Sequence, residues 1–233
     1  ESYNSGSSAS DHEHEFYIDN IRIYNRSESS PSLIAQNSYV SVENSNIDLK
    51  IYQSGNDLGV DVLNSNVRSV QTSGDNSSVT VYNSTILESG TDGIRTVGDH
   101  SDVTIYNSTI KNNEWNGIYT SGDNVDVNIQ YSFIHDNGDN GIYQEGGGST
   151  DPVILKIDNS SINDNGDKGI DQNTNYGTLF LNYSNITNNV SYGIYVNGIG
   201  IVSNSILWNN EFMGAHTQIA SWSGVTNIEY SSV

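Results

Sequence analysis

One sentence-like pattern returns along most of this chain, and nothing else in the sequence constrains the fold as tightly. "VTIYNSTIKNNEWNGIYTSGD" begins at Val103 and comes back at Val127 as "VNIQYSFIHDNGDNGIYQEGG". The apolar residue closing the Asn-Ser-x pattern occurs at Ile47, Val67, Ile86, Ile110, Ile134, Ile162, Ile186 and Ile206, in steps of 20, 19, 24, 24, 28, 24 and 20. A second marker, Gly-Ile, stands at Gly93, Gly117, Gly141, Gly169 and Gly193, in steps of 24, 24, 28 and 24. The two markers drift together, including across the longer step. A period of about 20–50 residues belongs to solenoids and arrays.

Each period holds three short β-like pieces, "VTIY", "TI" and "GIYT" in the unit from Val103. Val103 and Ile105 alternate with polar residues, the pattern of a half-buried strand. No stripe of helical period appears. The expected fold is therefore all-β: a parallel β-helix (solenoid) of about eight coils with three short strands per coil, stacked at about 4.8 Å. Stacking makes columns of equivalent residues. Val79, Val103, Val127, Leu155 and Leu179 should point inward, as should Val81, Ile105, Ile129, Ile157 and Leu181. Ile110, Ile118, Ile134 and Ile142 should be buried in adjacent coils. Asn44, Asn64, Asn83, Asn107, Asn159 and Asn204 form an Asn column that Tyr131 and Tyr183 interrupt. A further column runs through Asn113, Asn137, Asn165, Asn189 and Asn210. Both are expected to satisfy buried turn amides.

Composition excludes several functions. The chain of 233 residues carries 28 Asp plus Glu against 8 Lys plus Arg, a net charge of -20. That field repels a phosphate backbone, so no nucleic acid partner is expected. Cysteine is absent, which removes disulfides and thiolate metal sites. No apolar run reaches the roughly 20 residues of a membrane span. The start at Glu1 shows no signal-peptide pattern, as expected of a mature product or a fragment. The oligomeric state is not legible.

The unit "NSTIKNNEWNGIY" resembles the right-handed parallel β-helix repeat of the pectate-lyase-like superfamily, over about Val40 to Asn210. The resemblance implies a right-handed coil, with Asn107 and its equivalents at the tight bend between the family's second and third strands. The ending "SNSILWNNEFMGAHTQIASWSGVTNIEYSSV" resembles the terminal coil of many secreted or surface β-helix proteins, and the composition and architecture resemble the disaggregatase-type surface proteins of methanogenic archaea, which act on an acidic wall polysaccharide. Together they imply a secreted or cell-surface protein with a polysaccharide partner.

The head of the chain differs. Residues 1–36 read either as a cap strand, "EFYIDNIRIYN", over the first coil or as the end of a preceding β-sandwich, followed by a linker. Residues 37–233 read as the β-helix with its C-terminal cap. His12 and His14 in "DHEHE" read as part of a polar terminus or as metal ligands.

In the resembled superfamily, polysaccharide lies on the outer face of the strand corresponding to "GIYT". The outward column there is Arg95, Tyr119, Tyr143, Asp171 and Tyr195, with His216 as its extension. Aromatic faces spaced along a groove suit sugar rings. Tyr also fills outward β positions for its propensity alone. These side chains are expected to project side by side into solvent, with the insertion "EGGGSTDPV" rising beside Tyr143 and Asp171 as a wall. Hydrolysis would use a pair of carboxyl groups, one protonated and one ionised, with Asp171 and Glu145 as candidates. An eliminating lyase would draw on His135, Lys111, Arg95 and the tyrosines. The Asp-His and Arg-containing signatures of pectate lyases are absent, as are the paired-Asp and Gly-His-Gly signatures of polygalacturonases. A non-catalytic surface rod, adhesin or glycan-binding module is the alternative.

The "GD" turns place Asp75, Asp99 and Asp123 in one column. Like charges stacked about 4.8 Å apart repel. Calcium would relieve that repulsion and is the one cofactor the sequence suggests; solvated carboxylates splaying apart is the alternative.

Overall fold

The computed structural model describes residues 14–19, 32–36, 38–146, 153–212, 214–221, 226–229 and 231–232. They form strands and turns, and none of their helices is long and apolar enough to cross a membrane. Each turn of the chain lays down three strands, for instance Asp102–Tyr106, Thr109–Lys111 and Ile118–Ser121. Each of these strands pairs in parallel with its equivalent in the next turn: Val103 faces Val127, Ile110 faces Ile134, and Ile118 faces Ile142; near the C-terminus Glu211–Phe212 and Ala215–His216 pair antiparallel. Three faces result, termed first, second and third in that order.

The second face has seven strands, from Asn66–Val67 to Ile206–Trp208. The solenoid thus has about seven turns, where the markers suggested eight. The first marker, Ile47, is buried, but its segment joins the second face only through the single bridge Asn46–Asn66. The last marker is displaced by one residue. Leu207, not Ile206, pairs with Ile186 and is buried, while Ile206 is exposed. A column of serines, Ser45, Ser65, Ser84, Ser108, Ser132, Ser160, Ser184 and Ser205, sets this register. Ser205 holds the same position as Ser184, so the inward side chain falls two residues after it. A one-residue shift reverses the side to which a strand residue points.

The first and third faces meet without a break at the C-terminal end. Ile170–Asn182 and Ile194–Ser203 each run through both. At the N-terminal end, His14–Asp19 lies parallel to Ser38–Glu43 on the first face, and Ser32–Gln36 pairs with Lys50–Ser54 on the third. His12 lies outside the described residues, as does the segment from residue 20 to 31.

The core is a stack of Val, Ile and Leu from all three faces. Ile110, Ile118, Ile134 and Ile142 are fully buried, as are the two inward Val, Ile and Leu columns of the first face. Polar ladders hold the corners between faces. Asn44, Asn64, Asn83, Asn107, Asn159 and Asn204 all have φ between 46 and 50 degrees, and Tyr131 and Tyr183 share that left-handed bend. Asn accepts this conformation readily, whereas Tyr does so at a steric cost. These Asn side chains are exposed, which corrects the expectation that they serve buried amides. Asn107 Nδ2 donates to Asn83 Oδ1 at 2.8 Å on the surface. The Ser column satisfies the buried amides of the bend. The Ser84 amide donates to Ser108 Oγ at 3.1 Å, and that hydroxyl donates to the Tyr106 carbonyl at 2.7 Å.

The second Asn column is buried and continuous. The Asn113 amide and Nδ2 both donate to Asn137 Oδ1, at 3.2 and 2.8 Å. The same double bond links Asn137 to Asn165, Asn165 to Asn189 and Asn189 to Asn210. Gln218 Oε1 closes the ladder by accepting from Asn210 Nδ2 at 2.7 Å. This ladder explains the Gly-Ile marker. A Cβ on Gly141 would stand 2.9 Å from Asn165 Nδ2 and 2.7 Å from the Gly169 carbonyl oxygen. The same Cβ would stand 2.6 Å from Cγ2 of Ile162, the apolar marker of the neighbouring coil, so the glycine faces both that marker and the buried asparagine, and the two markers keep step because they touch.

Ile134→Ala should cost about 2–5 kcal/mol, the range for large-to-small core changes. A change below about half a kcal/mol in denaturant unfolding would contradict its place in the core. Gly141→Ala should cost about 1–3 kcal/mol by overpacking, read as a lower denaturation midpoint. An unchanged midpoint would show that the ladder does not need the glycine.

Candidate functional site

The Gly-Ile marker positions the outward row of the third face, because each row residue follows the same buried Ile. Arg95 pairs with Tyr119, Tyr119 with Tyr143, Tyr143 with Asp171, and Asp171 with Tyr195. The expected row is thus brought together in order. Ala220, rather than His216, occupies the next position after Tyr195. The row does not project evenly into solvent as expected: its tyrosines are half-buried, and Asp171 is only 9% exposed. The tip of the longer insertion, residues 147–152, lies outside the described residues, and with it the expected wall.

Contacts along the row are specific. Arg95 Nη1 binds the buried Asp92 Oδ2 at 3.2 Å, and the guanidinium lies 4.0 Å from the centre of the Tyr119 ring. Such a cation–π contact holds both groups in place. Tyr119 and Tyr143 meet edge to face, with centroids 5.5 Å apart. Glu145 stands two residues beyond Tyr143 on the same strand, pointing to the same side. It accepts hydrogen bonds from the hydroxyls of both Tyr119 and Tyr143, the latter at 2.8 Å. Burial, followed by the Glu145 hydrogen bond and charge, pushes the Tyr143 phenol up to about 12. Tyr119 is raised for the same leading reasons. Both hydroxyls therefore stay protonated and remain donors at neutral pH.

Asp171 has a partner that the sequence reading missed. Lys168 Nζ lies 3.1 Å from Asp171 Oδ2 and 2.8 Å from Asp167 Oδ2. Burial raises the Asp171 carboxyl, Lys168 opposes this, and the charges of Asp167 and Asp139 add to the rise. Desolvation outweighs the ion pair here because the group is so little exposed. Asp171 Oδ1 is buried without a hydrogen-bond partner. A signal for Lys168 was present. It stands directly before Gly169, where earlier repeats carry Asp92, Asn116 and Asn140. Those three form a buried ladder. Asn116 Nδ2 donates to Asp92 Oδ1, and Asn140 Nδ2 to Asn116 Oδ1, both at 2.9 Å. Lys168 accepts the ladder only through its backbone, donating its amide to Asn140 Oδ1 at 3.2 Å, and so frees its side chain for Asp171.

The remaining candidates lie elsewhere. His135 is on the second face, paired with Lys111 in the strand register, and its Nδ1 lies 2.6 Å from Asp136 Oδ2. It is not part of the third-face row. Asp75, Asp99 and Asp123 stack at the turn between the third and first faces. The Asp99 amide donates to Asp75 Oδ1 at 3.0 Å, and the Asp123 amide donates to Asp99 Oδ1 at 2.9 Å. Backbone donors thus offset part of the repulsion. The preceding glycines make this approach possible. Gly98 and Gly122 have φ of 145 and 149 degrees, and a Cβ on either would fall 2.2 Å from the carbonyl oxygen of the glycine one coil back. Among the described residues, no group of three or more His, Cys, Asp or Glu is arranged to hold a metal ion.

Residues 9–154, well over half of the chain, match the family model described as "Right handed beta helix region". The chain belongs to this right-handed β-helix family. Among curated proteins, none matches the sequence significantly. Among solved structures, the β-helix is similar to the Dettilon tailspike protein, with 14% identity and a TM-score of 0.53 over 87% of this chain and 53% of that one. It is also similar to the periplasmic alginate epimerase AlgG, with 10% identity and a TM-score of 0.50 over 88% of this chain and 79% of that one. The pectate lyase Pel9A aligns at 15% identity and a TM-score of 0.47, over 95% of this chain and 78% of that one. The β-helix spans about half the length of the tailspike chain. At these identities the likeness is one of fold.

Proposed function

We propose that this β-helix works outside the cytoplasm or at the cell surface, holds a polysaccharide along the Arg95–Tyr195 row, and hydrolyses it there. One observation carries the reading: Tyr119 and Tyr143, in register on adjacent coils, both turn their hydroxyls onto Glu145. Their rings are thereby held in fixed orientations beside a carboxylate, the combination that sugar rings and their hydroxyl groups call for. Hydrolysis needs a second, protonated carboxyl. Asp171, raised by burial one coil from Tyr143, is the group whose environment favours that role. Arg95 at the other end suits an acidic substituent on the same chain.

The burial of Asp171 favours a second reading, a glycan-binding rod without turnover. Incubation with acidic and neutral polysaccharides, following both reducing ends and unsaturated uronate absorbance, separates the two. Tyr143→Ala should weaken polysaccharide binding by about 1–3 kcal/mol. Asp171→Asn should abolish turnover while binding survives. Full activity in Asp171→Asn would reduce Asp171 to a structural ion pair and place the catalytic centre elsewhere.

Calcium at the Asp75, Asp99 and Asp123 turns is a separate proposal, which rests on the repulsion of the stacked charges and not on a formed ligand cluster. Millimolar calcium should raise the melting temperature relative to chelator, by linkage, and Asp99→Asn should shrink the difference. Superimposable melts would remove calcium from these turns.

A further inference from the structure

The first face carries a groove that the row on the third face leaves unused. Two outward columns border it. One runs Tyr82, Tyr106, Gln130, Asp158 and Asn182, and its neighbour includes Asn128, Lys156 and Phe180. An open groove of about 360 Å³ lies over their C-terminal half, lined by Asn128, Gln130, Lys156, Asp158, Phe180 and Asn182. That volume falls within the range of small-ligand sites, roughly 300–1,000 Å³.

Three features of the lining point to one kind of ligand. Phe180 is 38% exposed in a column whose earlier members are Thr80, Thr104, Asn128 and Lys156. It offers an apolar ring face beside Ile201, its partner in the next coil. Asn128 and Gln130 border the ring with amide groups that suit sugar hydroxyls, while the Asn182 amide is committed to Asp158, Ser203 and Asn204. Lys156 is exposed and, like the half-buried Lys50 and Lys111, makes no ion pair among the described residues, whereas Arg68, Arg95 and Lys168 are each bound to an Asp. The adjacent Asp158 does not claim it. One Asp158 oxygen accepts from Asn159 Nδ2 at 2.8 Å and the other from Asn182 Nδ2 at 3.0 Å. An uncommitted ammonium on a chain of net charge -20 is a local exception to the surrounding field.

We propose that this groove is a second glycan-binding site, which takes a largely neutral polysaccharide at a sugar bearing a single carboxylate. Phe180 lies against the ring, the amides bind the hydroxyls, and Lys156 binds the carboxylate. The single lysine matches an isolated charge, and the net charge of the whole chain opposes a polymer charged at every unit. The same columns continue past Gln130 to Tyr106 and Tyr82, whose rings stack with centroids 5.1 Å apart at an interplanar angle of 7 degrees. From Tyr82 to Asn182 is four coil steps, a track of about 19 Å at the parallel-strand spacing. Phe180 and Asp171 share the strand Ile170–Asn182 but pair within different faces, so this site is separate from the Arg95–Tyr195 row and does not depend on it.

Affinity electrophoresis of the whole chain tests this in gels containing glucuronoxylan, unsubstituted xylan or polygalacturonate. Glucuronoxylan should retard the protein most. Lys156→Gln and Phe180→Ala should each weaken that retardation about tenfold at unchanged melting temperature, and Tyr143→Ala should leave it intact. Binding to glucuronoxylan by the Lys156→Gln, Phe180→Ala double variant at parental strength overturns the site. So does failure of the parent to bind any of the three. Equal binding to unsubstituted xylan, insensitive to Lys156→Gln, overturns the assignment of the acidic sugar. Loss of binding in Tyr143→Ala alone credits the third-face row and overturns the second site, so the two proposals fail separately.

Discussion

Everything in this molecule depends on the in-register stacking of one coil on the next. Parallel pairing satisfies the backbone amides of each strand, but the corners between faces leave amides that no strand reaches. Side chains of identical type, one per coil, fill that role. The Asn113–Asn210 ladder and the Ser45–Ser205 column each convert a local turn into a continuous hydrogen-bonded line through the solenoid. A buried amide left without a partner costs about 1–3 kcal/mol, so these positions tolerate little change. The tight company of Gly141 and Asn165 shows how far the constraint spreads: one ladder dictates the residue beside it in the next coil.

The same stacking makes the outside of the rod a set of parallel rows whose residues are free to vary. Side chains out of pattern therefore mark the places where a row departs from its repeat. On the third face the departures are Arg95 and Asp171 in the tyrosine row and Glu145 in the column of Val97 and Ser121, held by Asp92, Lys168 and the two phenols. Lys168 illustrates the mechanism. It occupies a ladder position, keeps the backbone half of the ladder bond, and spends its side chain on Asp171. On the first face the departures are Lys156 and Phe180, in a column that also carries Asp61, Thr80, Thr104, Asn128 and Ile201.

Periodicity made much of this legible. The spacing of Gly-Ile identified the row from Arg95 to Tyr195, since residues at equal phase must stack. It also identified the inward Val and Ile columns. Phase errors entered only where the repeat ends: Ile47 lacks a full strand, and Ile206 sits one residue away from the inward Leu207. The depth of each column was not legible. The Asn column at the bend and the Asn column before the third face look alike in sequence, yet the first is exposed and the second buried. Which side of the corner an amide faces depends on the backbone dihedrals there, and Asn107 at φ 46 degrees turns its side chain outward.

The sequence by itself determined the repeat, the three strands per coil, the identity of the core and the order of residues along each outer row. These follow from period and alternation, which are properties of the chain read in one dimension. Only the tertiary structure decided what lies beside what between rows. It set Glu145 against two tyrosine hydroxyls, buried Asp171 under Lys168, and left His135 on a different face from the row. The Tyr119–Glu145 contact runs across coils while Tyr143–Glu145 and Lys168–Asp171 lie within one, and side-chain reach rather than sequence phase resolves all three.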